Sequence, residues 1–282
     1  MKESTAYQHR VLELLRTAAP PNVDLALQLL HNVQELAPLR TVLLPAPAQQ
    51  QAIERLGGAT APMEWADFFL CKQFRASTAG TVDVELLVQF LPNLEMAELN
   101  NCQLTALPPD LSNWQRLRVL HLGRNQLRQL PEGIGQLTHL RALLLHNNAL
   151  ERLPDAIGQL HHLVTLTAHH NRLRHLPPAL LQLPQLMGLQ LGHNRLTILP
   201  EDWTGVPHLQ VLKVGYNRLR TLPASLLALP KLHTLEAHHN QLRRLPDAGA
   251  AWQQLQTLTL EGNPLHPLPP TGQPFRQRLS PD

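Results

Sequence analysis

Leu117-Arg118-Val119-Leu120-His121-Leu122-Gly123-Arg124-Asn125-Gln126-Leu127-Arg128-Gln129-Leu130-Pro131-Glu132-Gly133-Ile134-Gly135-Gln136-Leu137-Thr138-His139 is one unit of a pattern that fills most of this chain. Aligning Leu94, Leu117, Leu140, Leu163, Leu186, Leu209, Leu232 and Leu255 gives a step of 23 residues every time, without insertion or deletion. The ninth position of the unit is Asn125, Asn148, Asn171, Asn194, Asn217, Asn240 and Asn263, with Cys102 in the first unit. The fifteenth is proline in all eight, from Pro108 to Pro269. Self-similarity at a fixed period of this length is the mark of a solenoid.

Each column has a physical reason. In Leu120-His121-Leu122 the leucines alternate with period two, so both point to one side of a short strand and His121 to the other. Strands of successive units are expected to pair in parallel. Asn125 and its equivalents follow the strand, where the residue tolerates turn geometry and its amide satisfies backbone groups that a tight corner buries. Stacked, these amides form a ladder. Pro131 then sets φ for an extended turn or a first helical position, and Ile134 and Leu137, three apart, turn a short helical segment inward. No unit buries its leucines alone, so the core runs continuously through the stack.

The composition agrees. The 282 residues include 63 leucines, while Phe, Trp and Tyr make up 4%, so the core is aliphatic and repetitive. With 43% apolar and 16% charged residues the chain reads as globular, not disordered or fibrous. Its start, Met1-Lys2-Glu3-Ser4-Thr5-Ala6, lacks the apolar core of a secretory signal. No stretch approaches the roughly 18 apolar residues of a membrane span. Cys71 and Cys102 are the only cysteines, and no Asn-x-Ser/Thr acceptor occurs. A reducing cytoplasm is the expected compartment.

Outward from the repeats the pattern weakens. Residues 71–93 put Cys71, Phe74, Val84, Val88 and Leu91 on repeat positions, which makes this segment a degenerate capping repeat. Eight full repeats cover 94–270, and a proline-rich tail covers 271–282. Residues 1–70 do not repeat. Asn22 is placed to cap a helix in which Leu25, Leu29, Val33 and Leu36 share a face, and Val11, Leu12 and Leu15 suggest an earlier one. This region is expected to be a helical cap over the open end of the solenoid, with a separate effector module as the alternative.

These columns resemble leucine-rich repeats of the 23-residue Leu-Pro-x-x-Ile-x-x-Leu class, found in intracellular Ras-suppressor-like proteins, plant intracellular relatives and many bacterial proteins. The resemblance spans residues 94–270. It implies an α/β fold, a right-handed horseshoe with a parallel sheet on its concave face, and a role in binding proteins. It implies no enzymatic activity and no cofactor.

The residues agree on the last point. No P-loop, dinucleotide fingerprint, His-Glu-x-x-His or nucleophile elbow is present. The informative positions are those the repeat leaves free. On the concave face the fifth position runs His121, Leu144, Thr167, Gln190, Lys213 and Glu236. An outward Leu144 beside Val119 and Ala142 is a candidate apolar contact patch. The seventh and eighth positions, on the loop leaving the strand, carry His146, His169, His170, His193, His238 and His239, with Arg124 and Tyr216 interspersed. Parallel strands lie about 4.8 Å apart, so His146 and His169 should be neighbours, as should His170 and His193.

Three readings of this rim stay open: a solvated edge, a partner-binding edge, and a metal chelate or metal-dependent enzyme. Adjacent imidazoliums repel, so any binding there should respond to pH between 5 and 8. Arg172, Arg195 and Arg218 form a second row at the tenth position. Residues 117–254 hold 14 Lys/Arg against 7 Asp/Glu, whereas residues 1–116 hold 8 against 12. The basic balance reads as a solvated ridge or as a site for an anionic protein partner or a phosphate-rich surface, and scarce aromatics make nucleic acid the weaker candidate. The expected protein is a non-catalytic interaction scaffold of intracellular signalling, with no membrane partner and an undetermined oligomeric state. The recognition arm of a bacterial effector is a further alternative.

Overall fold

The structure, a computed structural model, describes residues 72–75, 82, 84–246 and 255–266. The proposed helical cap over 1–70, Cys71 and the tail over 271–282 lie outside the described residues.

Nine short strands form one open, all-parallel sheet in chain order. They are β1 Gln73–Arg75, β2 Met96–Glu98, β3 Val119–His121, β4 Ala142–Leu144, β5 Thr165–Thr167, β6 Gly188–Gln190, β7 Val211–Lys213, β8 Thr234–Glu236 and β9 Thr257–Thr259. Registers such as Leu120↔Leu143 and Leu189↔Leu212 follow the repeat without a slip. The central residue of every strand is buried while most flanking residues of β2 to β8 are half-exposed, which is the alternation read from Leu-x-Leu. The sheet has one strand more than the eight full repeats, because β1 pairs with β2 through Phe74↔Ala97.

Behind the sheet the leucine columns meet in one continuous core. Leu120, Leu122, Leu143, Leu166, Leu189 and Leu212 have no solvent exposure. On the opposite, convex side the chain turns after each proline. Residues Glu132–Gln136, Asp155–Gln159 and Pro178–Gln182 are 3-10 turns, each entered from an extended proline. Among the described residues two α-helices lie on that side, α1 Val84–Phe90 and α2 Ala224–Leu227. Two repeats, among the described residues, make no helix there. In those, a tryptophan fills the space: Trp114 and Trp203 are fully buried, and the Trp203 indole donates to the Pro200 carbonyl at 2.8 Å.

The asparagine ladder is present and its geometry is specific. Asn194 Nδ2 donates to the carbonyls of Leu191 in its own repeat and Ala168 in the preceding one, both at 2.9 Å, and its Oδ1 accepts the Leu173 N–H at 3.0 Å. Asn171, Asn217 and Asn240 repeat this arrangement. Each carboxamide thus ties two coils together through groups that the corner buries. Positive φ falls one residue before the asparagine column, on Asn101, Arg124, Asn147, His170, His193, Tyr216, His239 and Gly262, and once after it, on Gln103 beside Cys102. The asparagine serves the turn through its side chain, and its predecessor takes the left-handed backbone. Cys102, which lacks a carboxamide, is a free buried thiol whose pKa burial pushes up to about 11.

Candidate functional site

The concave face is built from the fifth, seventh and eighth positions of successive repeats. Sheet register sets the first of these rows directly: His121, Leu144, Thr167, Gln190, Lys213 and Glu236 lie side by side on neighbouring strands. Lys213 Nζ and Glu236 Oε1 pair at 2.8 Å, both partly exposed. Leu144 is half-buried, as are Val119 and Ala142 beside it on the same face. The large apolar side chains exposed among the described residues are Met187, Ile198 and Tyr216.

The eighth position explains the rim. Its N–H donates to the seventh-position carbonyl of the next repeat, as in His170 to Gly192 at 3.0 Å, His193 to Gly215 at 2.9 Å and Tyr216 to His238 at 2.9 Å. This bond and the left-handed φ hold every eighth side chain at the repeat spacing. Rings placed there stack. His170 lies on His193 with centroids 4.1 Å apart and planes at 12°, His193 on Tyr216 at 4.1 Å and 11°, and Tyr216 on His239 at 4.5 Å and 20°. Four rings form an unbroken column. Offset stacking of this kind is favourable beyond the area it buries.

The seventh position carries a second, interrupted row. His146 stacks on His169 at 5.2 Å and 10°, and His238 meets Tyr216 edge to face at 5.1 Å. His238 Nδ1 lies 3.0 Å from Thr259 Oγ1 and 3.8 Å from a Glu261 carboxylate oxygen. Burial holds the pKa of His146 and His169 below the ordinary imidazole value, helped by Arg124 and His121 for the first and by His146, His170 and His193 for the second. His193 is lowered by burial and by the nearby His170 and His238.

The arrangement discriminates between chemistries. Parallel imidazoles present their nitrogens in separate planes, so their lone pairs do not converge on one ion. Among the described residues no group of three His, Cys, Asp or Glu side chains is placed to hold a metal. The eighth-position rings occupy one another's faces and offer edges, which leaves no platform for consecutive nucleobases. Arg172, Arg195 and Arg218 are exposed beside this column, with no carboxylate within ion-pair distance among the described residues. Arg124 also stands exposed, in the same eighth-position row.

Sequence reasoning placed the histidines together and missed two features. One is the left-handed eighth position, whose signal was the recurrence of Asn, His and Gly there. The other is a pocket of about 180 Å3 between His169 and His238, floored by Gln190 and the Lys213–Glu236 pair. Its signal was glycine at 192 and 215, in a row that carries histidine at 146, 169 and 238.

A nine-stranded parallel sheet with a buried asparagine ladder and proline-led turns defines a leucine-rich-repeat solenoid. Family models agree: one for a leucine-rich repeat region matches residues 94–201, and one for leucine rich repeats matches 184–242 and 207–265. A search of curated proteins finds no match. Among solved structures, a leucine-rich-repeat protein of Leptospira interrogans is similar at 31% identity and TM-score 0.56, over 77% of this chain and 58% of that one. The Toll–Spätzle complex of Drosophila is similar at 25% identity and TM-score 0.54, over 79% and 32%. The Arabidopsis receptor kinase HAESA, solved with a peptide hormone and a co-receptor, shares the fold at 22% identity and TM-score 0.63, over 80% and 38%. The chain therefore spans between about a third and three fifths of the length of these proteins. Among the described residues no helix is long and apolar enough to cross a membrane.

Proposed function

We propose that this chain is a non-catalytic protein-interaction module of the 23-residue Leu-Pro-x-x-Ile-x-x-Leu class, acting in the reducing cytoplasm in signalling. Its partner lies on the concave face and along the His/Arg rim. The observation that carries the reading is the concentration of variable, partly exposed side chains on one face of a scaffold whose other columns are fixed. Leucine, asparagine and proline positions are consumed by folding. His146, His169, Gln190, Lys213, Tyr216 and Glu236 are not, yet the backbone ladder holds them in register. Similarity to solved repeat proteins that hold a peptide hormone or Spätzle supports a protein as the bound species. Recognition here is complementarity between a rigid face and its partner, with no bond made or broken.

The exposed Arg172, Arg195 and Arg218 favour an acidic partner surface, since they lack internal counter-charges among the described residues. Affinity purification from the native cell identifies the partner. Alanine at His146, His169, Lys213 and Tyr216 together is expected to weaken that complex at least tenfold while the melting temperature stays within a few degrees. Unchanged affinity in this variant moves the site off the concave face.

A further inference from the structure

The interrupted row at the seventh position has a vacancy of defined shape. The His146 ring lies over Gly123 and the His238 ring over Gly215, so a Cβ at either glycine collides with imidazole. Gly192 is different. A Cβ there has only the Gly215 carbonyl oxygen within 4 Å, at 3.3 Å, and its φ is not in the left-handed region. The equivalent backbone position carries histidine at 146, 169 and 238. A side chain at 192 therefore asks the Gly215 carbonyl to give by a few tenths of an ångström and meets nothing else. What glycine does there is leave the place of one ring open.

We propose that this opening is an anchor pocket for a single aromatic side chain, carried on an acidic segment of the partner protein. The proposal rests on the reading of the concave face as a protein-binding surface and specifies what enters it. Size is the first argument. About 180 Å3 is too small for a drug-sized ligand and close to the roughly 150 Å3 cavity that accepts benzene.

The walls are the second argument. His169 has one face on His146 and the other toward the opening, and the His193–Tyr216 stack runs along the side. A planar guest continues the row against His169 and meets Tyr216 and His238 across the pocket, in the offset and edge geometries that aromatic pairs favour. Charge is the third. Lys213 and Glu236 neutralise each other in the floor, so the pocket itself calls for no ionic guest. A guest cation faces Lys213 and the arginine row, whereas acidic residues flanking a neutral aromatic face Arg172, Arg195 and Arg218 favourably. A nucleobase is the other planar guest, but the filled faces of the eighth-position column give its neighbours nothing to stack on.

The test uses the full chain, the Gly192→His variant that fills the vacancy, and defined probes. Indole and p-cresol stand in for tryptophan and tyrosine, with n-propylguanidine, acetate and a twelve-residue oligothymidylate as controls. Histidine ring signals are followed by NMR at pH 7.5. Indole or p-cresol is expected to move the His169, His193 and His238 signals saturably and to leave His139 and His162 unmoved. Gly192→His is expected to abolish these shifts with an unchanged melting temperature. Against the purified partner, the same substitution is expected to weaken binding at least about tenfold, the scale of a buried anchor.

Absence of saturable aromatic shifts, equal shifts from guanidine or acetate, or shifts retained in Gly192→His overturns the proposal. Competition of oligothymidylate with indole at these signals also overturns it, in favour of nucleic acid. If the partner is lost on the four-alanine variant but unaffected by Gly192→His, the anchor fails and the protein-binding reading stands. If indole binds as expected while the four-alanine variant keeps full affinity for the partner, the protein-binding reading fails instead.

Discussion

The asparagine ladder is redundant on one side and single on the other, and alanine substitution at two of its rungs measures that asymmetry. At Asn194, the three carbonyls that accept from its Nδ2 all have second donors; the most distant, Gly192 at 3.3 Å, also accepts the His170 N–H at 3.0 Å. Ala168 also accepts from Asn171 at 3.1 Å, and Leu191 from Asn217 at 3.0 Å. Only the Leu173 N–H, bound to Asn194 Oδ1, loses its acceptor in Asn194→Ala. At about 1–3 kcal/mol for an orphaned buried group and 0.5–1.5 for each of the two shorter redundant hydrogen bonds, the variant is expected to lose about 2–6 kcal/mol.

Asn125 is placed differently because Cys102 supplies no carboxamide. Its Oδ1 accepts both the Cys102 N–H at 2.9 Å and the Leu104 N–H at 3.1 Å, and its Nδ2 donates to the Leu99 carbonyl at 2.7 Å. Asn125→Ala orphans all three, so it is expected to cost at least about 2 kcal/mol more than Asn194→Ala, a large share of the 5–15 kcal/mol typical of a folded protein. Cys102→Asn restores a donor near Leu99 and narrows the gap. Urea unfolding followed by circular dichroism, with the slopes compared to check that the same surface is exposed, gives both values. Equal losses, or a larger loss at Asn194, would refute the reasoning that the count of orphaned groups sets the cost.

The remaining predictions concern core, pH and packing at the rim. Leu189→Ala, on β6 with no solvent exposure, is expected to lose about 2–5 kcal/mol in the same urea assay; a loss below 1 shows that neighbouring repeats close the cavity. His146, His169 and His193 have folded pKa values below that of the unfolded chain, so the unfolded state takes up protons first as pH falls. Their stabilisation is complete above the unfolded value of about 6.5 and is lost as pH falls toward their lower folded values. The melting temperature is therefore expected to fall between pH 7.5 and 5.5, and His169→Gln to flatten that slope; a melting temperature rising on acidification contradicts the sign. Gly215→Ala places a Cβ 2.6 Å from the His238 ring, which swings aside. A changed His238 NMR signal with little loss of stability is expected, whereas unfolding shows that the ring cannot move.

Much of this protein was legible before any coordinates. The 23-residue step of leucines fixes which side chains turn inward, since a period-two strand followed by a tight corner leaves them no other direction. Asn125 and its equivalents read as a ladder because a buried corner must satisfy its backbone groups. The nearness of His146 to His169 and of His170 to His193 followed from strand spacing alone. The backbone conformation of the eighth position did not follow. Arg124 and Tyr216 are not residues that favour a left-handed φ, and they adopt it because the hydrogen bond to the next coil leaves no alternative.

By itself, then, the sequence determined the solenoid: repeated apolar columns specify an address for every leucine whatever the fine geometry of the turns. Only the tertiary structure decided how the free positions combine. Ring orientation depends on which way each side chain leans from its coil. His238 leans back over Gly215 and His239 toward Gly262, although the two are adjacent in the chain. That choice is made by the space a neighbouring repeat leaves open, a property of pairs of coils 23 residues apart and of no single residue. For the same reason the pocket at Gly192 has no residue of its own to announce it. It exists because His169 lines one side and His238 the other, and the glycines at 192 and 215 put no side chain between them.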